Sequence, residues 1–322
     1  MQTQIANEKK EFKLSFVTKI SKQNLVPIIG LVTVILFFGI ASRGRIFTAQ
    51  NFTAFFNEVF MILLTSCGLI FIIAQGEMDL SVAGVAAICC AIGAYAASVN
   101  VNLALPVAII VGLGLGMLNG FVVSKLKISS FFVTIAISFM LRGIVELILR
   151  DGSKSVPYEL LEYDKVWIKI IVASVVAIIC FILFTYTAYG KWCRAVGSRV
   201  EVVRQTGVKV RWVKVSSYML MGAIAGLIAF FFLTRSGTAT AATGSTLQFS
   251  AMQALLFGGA VLSGGYSVRF RAVIIGSIIM AVISNGLTIC GVESTLQQLV
   301  KGVLFIIVVA LTFDRKSIEV IK

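Results

Sequence analysis

The chain has 322 residues, of which 58% are hydrophobic and 13% charged, with a mean hydropathy of +0.99. No soluble domain of this length requires so much apolar surface, so the composition points to an integral membrane protein and leaves no room for a soluble catalytic domain. The net charge of +14 would suggest nucleic acid in a soluble protein, but here the basic residues gather at helix ends and in short loops, as membrane orientation requires, and no nucleic-acid partner is expected.

The first 24 residues carry Lys9, Lys10, Lys13, Lys19 and Lys22 ahead of a long apolar run, with no cleavage site of small residues. They read as a cytoplasmic tail rather than a removed signal peptide. Each crossing of a bilayer needs about 20 apolar residues. Helices are therefore expected near 25–41, 52–74, 80–99, 103–124, 128–149, 166–189, 213–235, 250–265, 271–289 and 295–313. The fold class is all-α: a polytopic membrane protein of about ten spans over 25–313, with a second cytoplasmic tail over 314–322. With the N-terminus inside, the inner segments hold 19 of the 28 Lys and Arg residues, which puts both termini in the cytoplasm.

Within this pattern, IIAQGEMDLSVAG (Ile72–Gly84) interrupts the apolar run between the second and third helices. Gly76 permits a tight turn, and Asp79 is placed to cap the third helix by accepting the amide of Ser81 or Val82. The break reads either as a capped turn or as a polar lining of a translocation path, since irregular backbone at membrane depth survives only where protein or water satisfies it. A related break, FGGAVLSGGYS (Phe257–Ser267), carries Ser263 and Gly264 on the same expected side. Between them lies 190–214, which holds seven Lys and Arg residues, from Lys191 to Lys214. It is too polar to cross lipid, and it reads as a structured cytoplasmic loop on which another protein docks.

Polar residues inside the expected helices are few. Arg142 and Glu146 share a helix face and are expected to pair. Asn119, Asn285, Gln253, Gln297 and Gln298 suit either interhelical hydrogen bonds or recognition of hydroxyl groups, with the former favoured. Lys301 is expected to meet a carboxylate or carbonyl, and Glu58 to line an outer cavity or face a neighbouring subunit. There is no His, and the six cysteines show no metal-ligand spacing, so neither a metal nor another bound cofactor is expected.

Three segments resemble the membrane permeases of bacterial ABC importers, in their ribose-type monosaccharide branch. GEMDLSVAG resembles that branch's Gly-Gly-x-Asp-Leu-Ser-Val-Gly signature. AVGSRVEVVRQTGVKVRWVK is similar to its cytoplasmic coupling loop, with Glu201 and Gly207 at matching positions. LLFGGAVLSGG and ISNGLTICGVESTLQQLVKG resemble its C-terminal portion, and with Leu118-Asn119-Gly120 and Leu141-Arg142-Gly143 the likeness runs from about Phe47 to Asp314. Glu77 and Ala83 depart from the signature glycines, and Val202 and Val203 replace paired alanines in the loop. Tyr266-Ser267-Val268-Arg269 stands in place of a Gly-rich basic turn.

The resemblance implies a transport subunit, not an enzyme. The chain lacks a G-x-x-x-x-G-K-[ST] phosphate loop, so ATP hydrolysis would belong to a separate nucleotide-binding subunit docking on 190–214. Arg194, Gly197, Glu201, Arg204 and Gly207 are the expected coupling residues. Gly76, Glu77, Asp79, Ser81, Asn119, Ser263, Gly264 and Asn285 are the candidates for the path or its gate. Other implied partners are an extracytoplasmic solute-binding protein, docking on 42–51, 150–165 and 236–249, and a second permease copy or paralogue in the bilayer of the bacterial cytoplasmic membrane. The cargo would be a monosaccharide or similar polyhydroxylated solute. A nucleoside, a sugar alcohol, a furanose-type signal or a branched-chain amino acid would suit the same machine. The rival of another class is an ion-gradient carrier enlisting Glu58, Glu77, Asp79 and Glu146. A membrane-embedded enzyme finds no catalytic cluster.

Overall fold

In the computed structural model the described residues are 25–126, 128–150 and 152–312. The two expected tails, 1–24 and 314–322, lie outside the described residues. Twelve α-helices follow in chain order: α1 (Leu25–Ala41), α2 (Ala49–Ala74), α3 (Val82–Val99), α4 (Ala104–Leu126), α5 (Ser130–Ile148), α6 (Val166–Thr185), α7 (Ala188–Ser198), α8 (Val200–Gln205), α9 (Val210–Ser236), α10 (Leu247–Phe257), α11 (Arg271–Ile289) and α12 (Ser294–Thr312). Among the described residues, seven are long and apolar enough to cross a membrane: α2, α3, α4, α5, α6, α9 and α11. Three shorter apolar helices, Leu25–Ala41, Leu247–Phe257 and Ser294–Val308, accompany them.

Helix α2 is the hub. Its 26 residues are apolar almost throughout, and from Phe60 onward nearly every side chain is buried against α6, α7, α9, α10 and α11. A helix hydrophobic all round belongs in the middle of a bundle, and this one is there. By contrast, α6 buries only Lys169, Ala173, Cys180 and Phe184, so most of its apolar surface faces outward. The closest helix pair is α4 with α9. Gly112, Gly116 and Gly120 repeat every four residues along one face of α4 and meet Val215, Tyr218, Gly222 and Gly226 of α9. A Cβ at Gly112 or Gly116 would run into a backbone carbonyl of α9, so the two helices pack backbone to backbone. This is the small-residue packing that membrane helices use where lipid removes the hydrophobic driving force.

The expected 166–189 helix divides. It ends at Thr185, and Thr187 caps a new helix, α7, by accepting the Gly190 amide at 3.5 Å. Gly190 then rests on the Phe184 carbonyl, an approach that any Cβ would block, so the chain bends sharply there. The expected 250–265 helix is also shorter. It stops at Phe257, where Gly259 adopts a left-handed conformation (φ 88°) and the Ala260 amide returns to the Leu255 carbonyl. Residues 258–270 are non-helical and carry the chain to the end of the bundle that holds α7 and α8, called the basic end below.

At the opposite end the fold is not purely helical. Strand β1 (Ser153–Ser155) pairs antiparallel with β2 (Thr238–Thr240), with Lys154 opposite Ala239. Two loops expected as separate outer docking elements are thus zipped into one ribbon. Lys169 is 1% exposed, ion-paired with Asp164 and bonded to Asn57 of α2. Arg142 does not pair with Glu146; its guanidinium donates instead to the Ser245 carbonyl at 3.5 Å. Gln253 reaches the Lys301 carbonyl and Gln297 the Thr288 hydroxyl, so both join helices. Lys301 itself lies within electrostatic reach of Glu58.

The α4–α9 contact predicts a steep penalty for bulk. Gly116→Val should destabilise the bundle by about 1–3 kcal/mol or more, read as a lower thermal midpoint in detergent. Gly114→Val, on the open face of the same helix, should change it little.

Candidate functional site

Three stretches of chain meet at the basic end of α2. The helix runs out at Ala74, where Gln75 and the left-handed Gly76 (φ 72°) turn the backbone. The Gly265 amide donates to the Ala74 carbonyl at 2.9 Å, so the 258–270 segment lies directly on that turn. A Cβ on Gly264 would come within 2.8 Å of the Ala74 carbonyl. One on Gly197 of α7 would come within 2.7 Å of the Gly265 amide. Backbone rests on backbone from three elements, and a side chain at Gly197 or Gly264 would pry them apart. The two Gly-containing breaks seen in the sequence are therefore in contact, and α7 is seated on both.

Side chains tie the same junction. Gln75 donates from Nε2 to the Phe71 carbonyl at 3.0 Å and to Ser217 Oγ of α9 at 2.6 Å, with the Cys193 sulfur of α7 at 3.8 Å. Ser217 also shares a 2.7 Å hydrogen bond with the Tyr189 hydroxyl of α7. Burial pushes the Cys193 thiol up to about 11 and raises the Tyr189 hydroxyl above its usual value. Both groups stay neutral at ordinary pH, so this knot of three helices carries no charge. Arg194 is held inward, donating to the Gly190 and Phe184 carbonyls and lying over the rings of Phe184 and Tyr266.

Beyond Gly76 the chain runs non-helically through Glu77–Ser81. The amides of Met78 and Leu80 are taken by the hydroxyls of Ser130 (2.9 Å) and Thr134 (3.0 Å) of α5, and the Tyr218 hydroxyl donates to the Met78 carbonyl at 3.4 Å. Buried irregular backbone requires such partners. Asp79 Oδ1 accepts the Ser81 amide at 2.8 Å together with the Ser81 hydroxyl, and Asn119 of α4 donates to Ser81 Oγ at 2.7 Å. Asp79 thus makes the expected bond, but the capping position of α3 is Ser81, two residues further on. Asp79 and Asn119 line a crevice with Tyr218 and Met221 that has no room for a water molecule. Asn119 Oδ1 is buried without a partner.

Glu77 forms an ion pair with Lys214 at the start of α9. The pair stands on the wall of a cavity of about 600 Å³, whose lining includes Gly76, Ser130, Arg204, Lys209 and Arg211.

The protein-family description "Branched-chain amino acid transport system / permease component" matches residues 51–309. The chain belongs to that permease family. The permease is 29% identical to the ribose import permease protein of Bacillus subtilis (strain 168), over 92% of its own length and 94% of the relative's. It is 29% identical to the L-arabinose transport system permease protein of Escherichia coli (strain K12), covering 82% and 84%. Against the autoinducer 2 import system permease protein of Photorhabdus luminescens the identity is 27%, covering 91% and 90%. No solved structure matches the chain.

Within the permease the residues singled out from sequence fall into three groups. Gly76, Glu77, Asp79, Ser81 and Asn119 follow one another along the break and its α4 neighbour, while Gly264 and Gly197 interlock with its start. Ser263 is exposed, with its carbonyl facing Gly76. Asn285 is elsewhere: at the opposite end of α2 it exchanges reciprocal hydrogen bonds of 2.8 and 2.9 Å with Asn51, away from the junction. Glu201 and Arg204 project from α8 into solvent and pair with each other, at 3.3 Å. Gly207 takes φ 80° to turn α8 into α9. Sequence reasoning missed Gln75, Tyr189, Cys193, Ser217 and the Lys214 partner of Glu77. Gln75 alone gave a signal, as a polar residue ending a long apolar run just before the turn.

The knot predicts measurable coupling between distant residues. Gln75→Leu removes the donor shared by the Phe71 carbonyl and Ser217 Oγ, while Ser217 keeps Tyr189 and the Val213 carbonyl, and should lower stability by about 0.5–1.5 kcal/mol. A double-mutant cycle with Ser217→Ala should return an interaction energy of about 0.5–3 kcal/mol by thermal or chemical unfolding in detergent.

Proposed function

We propose that the permease is the membrane subunit of an ATP-driven importer of the ABC type, carrying a monosaccharide or similar polyhydroxylated solute across the bacterial cytoplasmic membrane. Likeness over nearly the full chain to permeases named for ribose, L-arabinose and autoinducer 2 supports this cargo class. The one observation that carries the mechanism is the seating of α7 on the end of α2. The exposed surface of α7 and α8, with Trp192, Val202, Arg199 and Glu201, would receive a nucleotide-binding subunit. Its ATP-dependent closure would push α7, and Gly197, Gly264 and the Gln75–Ser217–Tyr189 knot would pass that push to the Glu77–Ser81 segment. The crevice at Asp79 and Asn119 would open and close as that segment moves.

In this reading about ten apolar helices cross the bilayer and both termini face the cytoplasm, which puts the basic end inside. An extracytoplasmic solute-binding protein would deliver cargo to the opposite end, where the β1–β2 ribbon stands, and a second permease copy or paralogue would complete the path. The ion-gradient alternative finds less support, because Glu77 is neutralised by Lys214 and Asp79 is occupied by Ser81.

Glu201→Lys tests the docking surface. Its side chain is 75% exposed and its pair with Arg204 contributes at most about 0.5 kcal/mol, so insertion and thermal stability should be unchanged. Cargo-stimulated ATP hydrolysis by the co-purified complex should fall to the unstimulated rate. Normal assembly and normal stimulation in that variant would overturn the assignment of this face to the ATPase.

A further inference from the structure

The 600 Å³ cavity at the basic end carries more positive charge than the fold needs. Its lining includes Arg204, Lys209, Arg211 and Lys214 against a single carboxylate, Glu77, which Lys214 already occupies. Among the described residues Arg204 pairs with Glu201, a carboxylate outside the lining and largely in solvent. Lys209 is exposed and has neither an ion pair nor a side-chain hydrogen bond among the described residues. The Arg211 guanidinium has no acid among the described residues; it lies over the Phe121 ring, 4.3 Å from its centre, and Lys125 lies over the same ring at 5.8 Å. Two cations thus converge on one aromatic ring beside a cavity that Lys209, without an ion pair among the described residues, and the solvent-paired Arg204 also line. Like charges gathered this way repel one another unless a counter-ion joins them.

We propose that this cavity is an anion site that takes a phosphate group. The hydroxyl-bearing Ser124 and Ser129 share the lining with the cations, which suits the acceptor oxygens of a phosphate. The rim also fits the chemistry of such a ligand at a membrane boundary. Ile128 of the lining and Phe121 beneath Arg211 are both exposed, an apolar and aromatic edge of the kind found where helices leave lipid. The phosphate can come from an anionic lipid headgroup or from a soluble phosphate, and the two sources are separable.

The test titrates the full-length protein in detergent with inorganic phosphate, with short-chain phosphatidylglycerol and with short-chain phosphatidylcholine, following thermal midpoint and tryptophan fluorescence, since Trp212 adjoins Arg211. A saturable response to phosphatidylglycerol alone assigns the site to a lipid headgroup, and a response to inorganic phosphate as well assigns it to soluble anions. In either case Lys209→Gln and Arg211→Gln should each weaken the response about fivefold, Lys209→Arg should retain it, and added salt should weaken it. The proposal is overturned if neither anion binds, if phosphatidylcholine binds as well as phosphatidylglycerol, or if both glutamine variants bind the anion like the parent protein.

Discussion

The fold turns on one contact: the backbone of α2 at Ala74 touching the backbones of α7 and of the 258–270 segment. Carbonyl-to-amide contact of this kind tolerates almost no slack, because close-packed groups have two arrangements, seated or displaced, and little between. Gly197 leaves room for it, and Gly264 does so while also taking the left-handed conformation (φ 73°) that the turn needs. A helix lying against a bundle through long side chains could slide without consequence, whereas one seated backbone to backbone carries its neighbours with it.

What it carries is the Glu77–Ser81 segment. Only its ends join helices: the Glu77 amide returns to the Ile72 carbonyl and the Ser81 carbonyl takes the Val85 amide. Between them the Met78 and Leu80 amides and the Met78 carbonyl are met by Ser130 and Thr134 from α5 and by Tyr218 from α9. Such bonds are individually worth only about 1 kcal/mol net, so they can be exchanged for others as the segment moves. The α4–α9 pair beside it is the reverse, locked by glycines that admit no alternative register. A soft segment held between α7 and a rigid pair is a physical basis for the proposed gate, and Glu77–Lys214 adds a charged link across it that the ribose-type signature, with glycine at that position, would lack.

Much of this was legible in the sequence, and the reasons for the rest are specific. Apolar run lengths located the seven long helices because a crossing needs a minimum apolar length, and the GEMDLS and LSGG breaks stood out because polar groups and glycines interrupt those runs. Their contact with each other did not show, since nothing local records that Ala74 and Gly265 will meet. The same holds for Gln75 with Ser217, which are 142 positions apart. Asn285 stood both among the path candidates and among the amides favoured to bridge helices; the bond to Asn51 bears out the bridge, and only the fold names that partner. The Arg142–Glu146 spacing favoured a pair, yet the guanidinium reached a carbonyl from another segment. The short β1–β2 ribbon left no trace because its strands of Ser, Thr, Lys and Ala carry no alternating apolar pattern.

The claim beneath the account is that a push on α7 reaches the gate only through a fit too tight for one extra methyl group. Gly197→Ala adds that methyl under the docking surface without altering the surface itself, and Gly114→Ala adds one in open space as the control. The decisive measurement is cargo-stimulated ATP hydrolysis by the reconstituted complex carrying each change. The account predicts that Gly197→Ala retains basal hydrolysis and subunit assembly but loses stimulation, while Gly114→Ala behaves as the parent. Full stimulation in the Gly197→Ala complex would contradict it.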